Sequence, residues 1–319
     1  MVVNEGGDGT TVSLRGPKLL FALRAFLWLW TYRPDVVHAH SHWHTLFPGV
    51  VFRSLRKTTR LVFTVHTPID LSTRPITGRV IMGLLKRCDV VTTVSREMAS
   101  RLRPRLPPRV TLTTIPPGGD PREPDHRGAR SSIRIPTDVF LVAFVGPLLW
   151  PEKAAGVELL IRAFRGFLGD ARHSMLVIVG GGPYLSRLRT FASNLGIESQ
   201  VSFTGTVPDA TPFVDACDVY AHISYMEGVP LSLLEAMSAG KAIIASRVGG
   251  IPDLLSDGES AILVQNAEGE IVRALDLLHR DQETRARLGA MASHVVRSEH
   301  TWDKVAARFS EVYQGREGE

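Results

Sequence analysis

The segment Glu227-Gly228-Val229-Pro230-Leu231-Ser232-Leu233-Leu234-Glu235-Ala236-Met237-Ser238-Ala239-Gly240 concentrates residues able to do chemistry. An apolar run ends at Ser224, a tight loop follows with Gly228 and Pro230, and Pro230 suits the start of a helix near Leu231. Free backbone N–H groups at a helix start attract an anion. Two carboxylates flank that point eight positions apart, Glu227 in the loop and Glu235 a turn into the helix. An ionised carboxylate only accepts hydrogen bonds, so it suits vicinal hydroxyls. Glu227 on one sugar, Glu235 on another and a diphosphate between them over the helix N-terminus would together hold a nucleotide sugar.

Other candidates lie at the ends of apolar runs. Gly180-Gly181-Gly182-Pro183 follows Met175 to Val179. Its glycines fit either a sharp strand-to-helix turn or the close approach of a ligand to the backbone. His66, in Thr64-Val65-His66-Thr67, stands just after Leu61 to Val65, with Ser95 as a weaker candidate of the same kind. A lone histidine there is either a satisfied structural residue or a site residue. His38, His40, His42 and His44 alternate, as metal ligands on one strand face would. That pattern crosses from a strand into a loop and helix start, without acidic or cysteine partners nearby, so no metal is expected.

The elements that must position these residues alternate regularly. Strands are predicted at Val36 to Ala39, Arg60 to Val65, Val90 to Val94 and Val110 to Ile115, with helices at Lys18 to Tyr32, Leu46 to Arg56 and Thr77 to Lys86. Pro116 to Pro136, rich in proline, glycine and charge, reads as a connection between lobes. Alternation then resumes, with strands at Phe140 to Val145, Met175 to Val179, Val201 to Phe203, Val219 to His222, Ala242 to Ser246 and Ala261 to Val264. Helices are predicted at 156–168, 184–195, 211–216, 231–239, 251–256, 267–279 and 302–313. Such βαβ alternation predicts two α/β lobes with doubly wound parallel sheets. The halves echo each other in Cys88-Asp89-Val90-Val91 and Cys217-Asp218-Val219-Tyr220. Ligands of such sheets bind beyond the C-terminal strand ends, so a cleft between the lobes is expected.

Length and composition agree. The chain has 319 residues, 44% apolar and 22% charged, enough for two cores in an ordinary globular protein. Its two cysteines read as core residues in a reducing cytosol. No signal peptide is visible, and the apolar stretch Leu19 to Trp30 is too short to span a bilayer and reads as a core helix. Residues 1–117 carry 17 Lys and Arg against 6 Asp and Glu, a net +11, which leaves a net −6 for residues 118–319. The basic half is either an arginine-rich solvated surface or an attractor of anionic lipid or a phosphorylated acceptor. No nucleic acid is expected, since no stacking aromatics interleave the arginines.

The Glu227 to Gly240 segment resembles the signature of the retaining glycosyltransferases of family 4, which have the GT-B fold. The resemblance continues through Ala242-Ile243-Ile244-Ala245-Ser246, Gly249-Gly250-Ile251-Pro252, Asp257-Gly258 and Leu263-Val264, and spans the chain from about residue 17. It implies a GT-B-like fold of two Rossmann-like lobes: an acceptor-side lobe at 1–117, joined by a C-terminal helix at 300–319, and a nucleotide-sugar lobe at 118–299. It implies that Glu235 binds the ribose, Glu227 the donor sugar, and the backbone of Gly228, Val229, Pro230 and Leu231 the sugar and phosphate. His66 would lie near the reacting carbon, and Gly182 near the base. Gly146 and Lys153 match the Gly-Arg and Glu-Lys-Gly positions that neutralise the diphosphate.

The implied reaction moves a hexose from a nucleoside-diphosphate sugar to an acceptor hydroxyl with retention. It needs no cofactor and no metal, since backbone amides and Lys153 would take a metal's place. The acceptor would be a sugar, a lipid-linked molecule or a small molecule, and the protein cytoplasmic, with peripheral contact to the inner membrane face as a compatible reading. Two departures stand out. Pro147 occupies the expected arginine position, with Arg162 and Arg165 as neighbouring cations that could replace it. The family's opening β-α-β unit finds no counterpart before Lys18, so a partner chain supplying it is one reading. These departures keep a non-catalytic glycosyltransferase-like subunit open as an alternative. A nucleotide-sugar epimerase is a second, against which the signature argues.

Overall fold

The computed structural model describes residues 17–67, 75–169, 171 and 173–316. The chain divides into two compact units, Met1–Pro116 with Ala306–Glu319, and Pro117–Val305. The first unit runs α1 (Lys18–Tyr32), β1 (Val36–His40), α2 (Trp43–Leu55), β2 (Arg60–Val65), α3 (Pro75–Leu85), β3 (Val90–Thr93), α4 (Arg96–Leu102) and β4 (Thr111–Thr114). Its strands pair in parallel in the order β1-β2-β3-β4.

Helix α1 corrects one expectation. It buries only Ala22, Ala25 and Leu29, one narrow stripe, whereas Leu19, Leu23, Leu27 and Trp30 are exposed among the described residues. It is therefore a surface helix rather than a core helix. Arg33, in the left-handed region at φ 51°, ends it before Pro34.

The second unit runs α5 (His126–Ser132), β5 (Phe140–Val145), α6 (Pro151–Phe167), β6 (Ser174–Val179), α7 (Leu185–Asn194), β7 (Val201–Gly205), α8 (Thr211–Ala216), β8 (Val219–His222), α9 (Leu231–Ser238), β9 (Ala242–Ser246), α10 (Ile251–Leu254), β10 (Ile262–Val264), α11 (Glu268–Arg280) and α12 (Gln282–Glu299). A last helix, α13 (Trp302–Gln314), begins in this unit and ends in the first. The sheet is parallel in the order β10-β9-β8-β5-β6-β7. Val142 and Phe144 pack into a core with Val157, Phe164 and Leu275, while Leu141 and Ala143 pack into another with Leu233, Met237 and Val296. Both faces are covered, so strands read as unbroken apolar runs. The chain leaves β5 toward β6 and returns to β8 on β5's other side, which makes the β5/β8 gap the topological switch point where such sheets bind ligands.

Three helices escape a reading of apolar periodicity. The presumed connection at Pro116 to Pro136 contains α5, started by Asp125, whose carboxylate accepts from the Gly128 N–H at 3.0 Å. α4 is started by Ser95 in the same way. α12 buries only Leu288, Gly289, Ala292 and Val296 along eighteen residues. α6 also begins earlier than expected, because Pro151 takes the first helical position.

The echo between the halves has a shared physical basis. Asp89 accepts from the Leu61 N–H at 2.8 Å and from Arg53 Nε at 2.7 Å. Asp218 accepts from the Leu141 N–H at 2.7 Å and from Arg130 Nη2 at 2.7 Å. Each aspartate caps its strand on the neighbouring strand's backbone. Each preceding cysteine is buried, its thiol pushed up by desolvation. Arg130 is almost wholly buried and also donates to the carbonyls of Ala216, Pro136 and Val139. Asp218→Ala leaves that guanidinium unpaired and is expected to lower stability by roughly 3 kcal/mol in urea denaturation. Asp89→Ala is expected to cost less, because the Arg53 side chain is 32% exposed.

Candidate functional site

The residues at the β5/β8 switch point are brought together by a close backbone approach. A Cβ at Gly156 would overlap the Ile223 carbonyl oxygen, so α6 lies directly on the chain leaving β8. Lys153, almost one turn earlier on α6, is thereby set beside His222 and Glu227. Its ammonium pairs with Glu227 Oε1 and lies 3.2 Å from His222 Nε2. His222 Nε2 is itself 3.0 Å from Glu227 Oε1. Phe144 stacks on the His222 ring at 5.5 Å and lies below the Lys153 ammonium at 6.0 Å.

The loop carrying Glu227 rests on the next one. Gly249, at φ +59°, has its missing Cβ directed at the Glu227 carbonyl, and the Gly250 N–H donates to the Gly228 carbonyl at 2.7 Å. Ser224 is tied in by its N–H to Ser246 Oγ at 2.9 Å and by its carbonyl to Asn266 Nδ2 at 2.9 Å.

Electrostatics follow from burial and pairing. Burial alone would raise the Glu227 pKa, yet the hydrogen bond from His222 and the Lys153 charge hold it below the usual carboxylate range. Burial, then the Lys153 charge, pulls His222 down, so its ring is neutral. Glu235 differs. It is exposed, partial desolvation raises its pKa, and it has no hydrogen-bond or ion-pair partner among the described residues. It shares one helix face with exposed Leu231 at the N-terminal end of α9. There Pro230 stands before the first turn, and the N–H groups of Gly228, Val229, Leu231 and Ser232 have no partner among the described residues.

The glycine turn has a structural role. Cβ atoms at Gly180 and Gly182, both at positive φ, would overlap the carbonyls of Gly146 and Leu148. The two segments run side by side, with the Leu148 N–H donating to the Gly181 carbonyl at 2.9 Å. Pro147 lies exposed between Gly146 and Leu148. Arg162 and Arg165 do not stand in for the expected arginine. Arg162 sits 4.0 Å from Glu268 and over Phe191, and Arg165 donates to the Leu195 carbonyl at 3.3 Å.

His66 belongs to the first unit, where it follows β2 and contacts His40, Nε2 to Nδ1, at 2.9 Å. His38 lies against His40, with ring centroids 4.1 Å apart, and bonds Tyr313 Oη and Thr64 Oγ1 at 2.7 Å each. Tyr313 lies near the end of α13, and Arg60 Nε donates to the Val312 carbonyl at 2.7 Å. His42 and His44 stack on each other at the start of α2 instead. Burial and neighbouring imidazoles hold His38 down to about 3 and His40 to about 4, and burial lowers His66. Ser95, the weaker candidate, is a helix cap, buried and accepting from the Met98 N–H at 3.2 Å. Among the described residues no group of three or more His, Cys, Asp or Glu is placed to hold a metal ion, and no helix is long and apolar enough to cross a membrane.

Residues 126–295 match the family Glycosyl transferases group 1, and residues 8–123 match Glycosyltransferase Family 4. The chain belongs to the group 1 glycosyl transferases. It is 30% identical over 272 residues to a GDP-mannose-dependent alpha-(1-6)-phosphatidylinositol monomannoside mannosyltransferase of Mycolicibacterium smegmatis, covering 81% of this chain and 70% of that one. It is 29% identical over 307 residues to a D-inositol 3-phosphate glycosyltransferase of Corynebacterium glutamicum, covering 88% and 72%. Anabaena Alr3699/HepE, solved with UDP, superposes with a TM-score of 0.81 at 20% identity over 92% of this chain and 82% of that one. The fold of this glycosyl transferase is thus GT-B, with two Rossmann-like units.

Within this glycosyl transferase, Lys153, Glu227, Gly146 and the start of α9 gather at the C-terminal ends of the central strands β5 and β8, whereas His66 sits in the other unit with His38 and His40. His222 was not singled out from sequence. Its signal was a histidine ending a strand whose partners are apolar, five residues before Glu227.

Two outcomes are expected. Gly249→Ala adds both left-handed strain and a clash with the Glu227 loop. Its loss should exceed that of Gly258→Ala, which sits at φ +75° with nothing within 4 Å and should cost only about 1–2 kcal/mol in thermal melts. His38 and His40 are neutral when folded but titrate near 6.5 when unfolded, so the unfolded state binds more protons as pH falls below that value. Stability should therefore drop between pH 6.5 and about 3, and His38→Gln/His40→Gln should flatten that drop.

Proposed function

We propose that this glycosyl transferase moves a hexose from a nucleoside-diphosphate sugar to an acceptor hydroxyl, with retention at the anomeric carbon. The observation that carries the reading is the convergence at the β5/β8 switch point of the Lys153–Glu227 pair with the N–H groups that open α9 and have no partner among the described residues. The amides and Lys153 neutralise the diphosphate, as preorganised dipoles and charge do without reorganising. Glu235, with its exposed carboxylate, accepts from the ribose hydroxyls, and Glu227 from those of the sugar. The bond from the anomeric carbon to the phosphate oxygen breaks. The acceptor oxygen bonds to that carbon on the same face, and its proton passes to the departing diphosphate. Lys153 and the amides neutralise the leaving diphosphate in place of a metal ion.

The relatives support a mannosyl-type donor and an inositol-containing acceptor, since one is by name GDP-mannose-dependent and both are named for an inositol compound. The net +11 of residues 1–117 would attract such an anionic acceptor, in envelope synthesis at the cytoplasmic membrane face. Pro147, with Arg162 and Arg165 engaged elsewhere, favours a second reading in which the chain binds the nucleotide without turnover.

Calorimetric titration with GDP-mannose, UDP-glucose and related donors should give one selective binder. Glu235→Ala should abolish that binding, and Lys153→Met should lower kcat about 100-fold in the presence of acceptor. Turnover should persist in chelator. A folded chain that binds none of the donors sinks the reading, and binding with no turnover on phosphorylated inositol acceptors selects the second one.

A further inference from the structure

His222 is wholly buried, yet both its ring nitrogens have polar partners, and the reaction as described does not use it. Nδ1 lies 3.2 Å from Tyr220 Oη, and Nε2 faces Glu227 Oε1 at 3.0 Å. A neutral imidazole carries one proton. Nε2 also lies 3.2 Å from the Lys153 ammonium, but that ammonium can direct its protons to Glu227 or to a ligand. A lone pair on Nε2 would then point at an ionised carboxylate oxygen, so the proton is placed on Nε2, where it donates to Glu227. Nδ1 must then accept, and Tyr220 Oη is the donor beside it. Tyr220 also lies 3.2 Å from the Val145 carbonyl, but that oxygen already accepts from Ser232 Oγ at 2.9 Å. A carbonyl oxygen can accept twice, so Tyr220 can donate to either neighbour. When its hydroxyl turns to His222 Nδ1, the Val145 carbonyl still keeps Ser232 as a donor, and no polar atom along Ser232, Val145, Tyr220, His222 and Glu227 is left without a partner.

This arrangement bears on a conflict within the site. Resting on the donor reading above, Lys153 must serve the diphosphate, but in the free protein it is paired with the 10% exposed Glu227 side chain. Withdrawing a charged partner from a buried carboxylate is costly unless another donor remains on it. We propose that His222 is a positioning residue that releases Lys153. By donating from Nε2 to Glu227, it keeps the carboxylate paired and in place while Lys153 turns to a nucleoside diphosphate.

Calorimetry with GDP and UDP, on variants shown by thermal melting to be folded, tests this. His222→Leu should weaken nucleoside diphosphate binding by at least about tenfold, because Lys153 would leave an unpaired carboxylate. His222→Leu/Glu227→Gln should recover most of that affinity, since no charge then holds Lys153. A merely structural role for His222 predicts no such rescue. Unchanged affinity in His222→Leu, or a double variant as weak as the single, overturns the proposal while leaving the donor reading intact. Ring nitrogen spectra of the ¹⁵N-histidine-labelled wild-type protein give a second measurement that needs no folded variant. They should show His222 protonated at Nε2 with and without GDP, and a proton on Nδ1 overturns the proposal. If the wild-type protein binds neither nucleotide, the donor reading falls and this proposal with it.

Discussion

A buried ion pair dictates much of the second unit's architecture. Lys153 and Glu227 come from segments 74 positions apart, and each charge needs a polar partner once it is desolvated. Bringing them together requires α6 to lie on the chain leaving β8, which the absent side chain of Gly156 permits. It also requires the Glu227 loop to rest on the one after β9, which the absent side chain of Gly249 permits. The pair sits where the sheet order reverses, so the strand ends leave room for a ligand there without breaking a ladder.

The same economy of backbone approach recurs beside the pair. Gly180 and Gly182 let the segment after β6 run against Gly146 to Leu148, so these glycines first serve chain-to-chain contact. The two aspartates that open β3 and β8 do equivalent work in the two units, each tying a strand start to its neighbour's backbone and an arginine. The two sheets thus share a local device although they differ in strand number and order.

The histidines divide by environment rather than by spacing. His38, His40 and His66 form a contiguous neutral group at the ends of β1 and β2, reached by Tyr313 from α13. His42 and His44 turn away because the helix starts at Trp43 and changes the period from two to 3.6. His222, in the other unit, is neutral because it is buried beside an ammonium.

The sequence by itself determined the strands, the parallel α/β class and the family. Strands covered on both faces read as unbroken apolar runs, and the Glu227 to Gly240 segment keeps its order whatever surrounds it. It also marked Lys153, Glu227, Glu235 and His66 one at a time. Helices α4, α5 and α12 were not legible, because capping residues and a few small buried side chains hold them in place of a broad apolar face. Only the tertiary structure decided that Lys153 pairs with Glu227, that His222 joins them, that Ser95 is a cap and that α1 lies on the surface. Each of these depends on which segments meet in space, and a linear pattern of residue types carries periodicity along the chain but no distance across it.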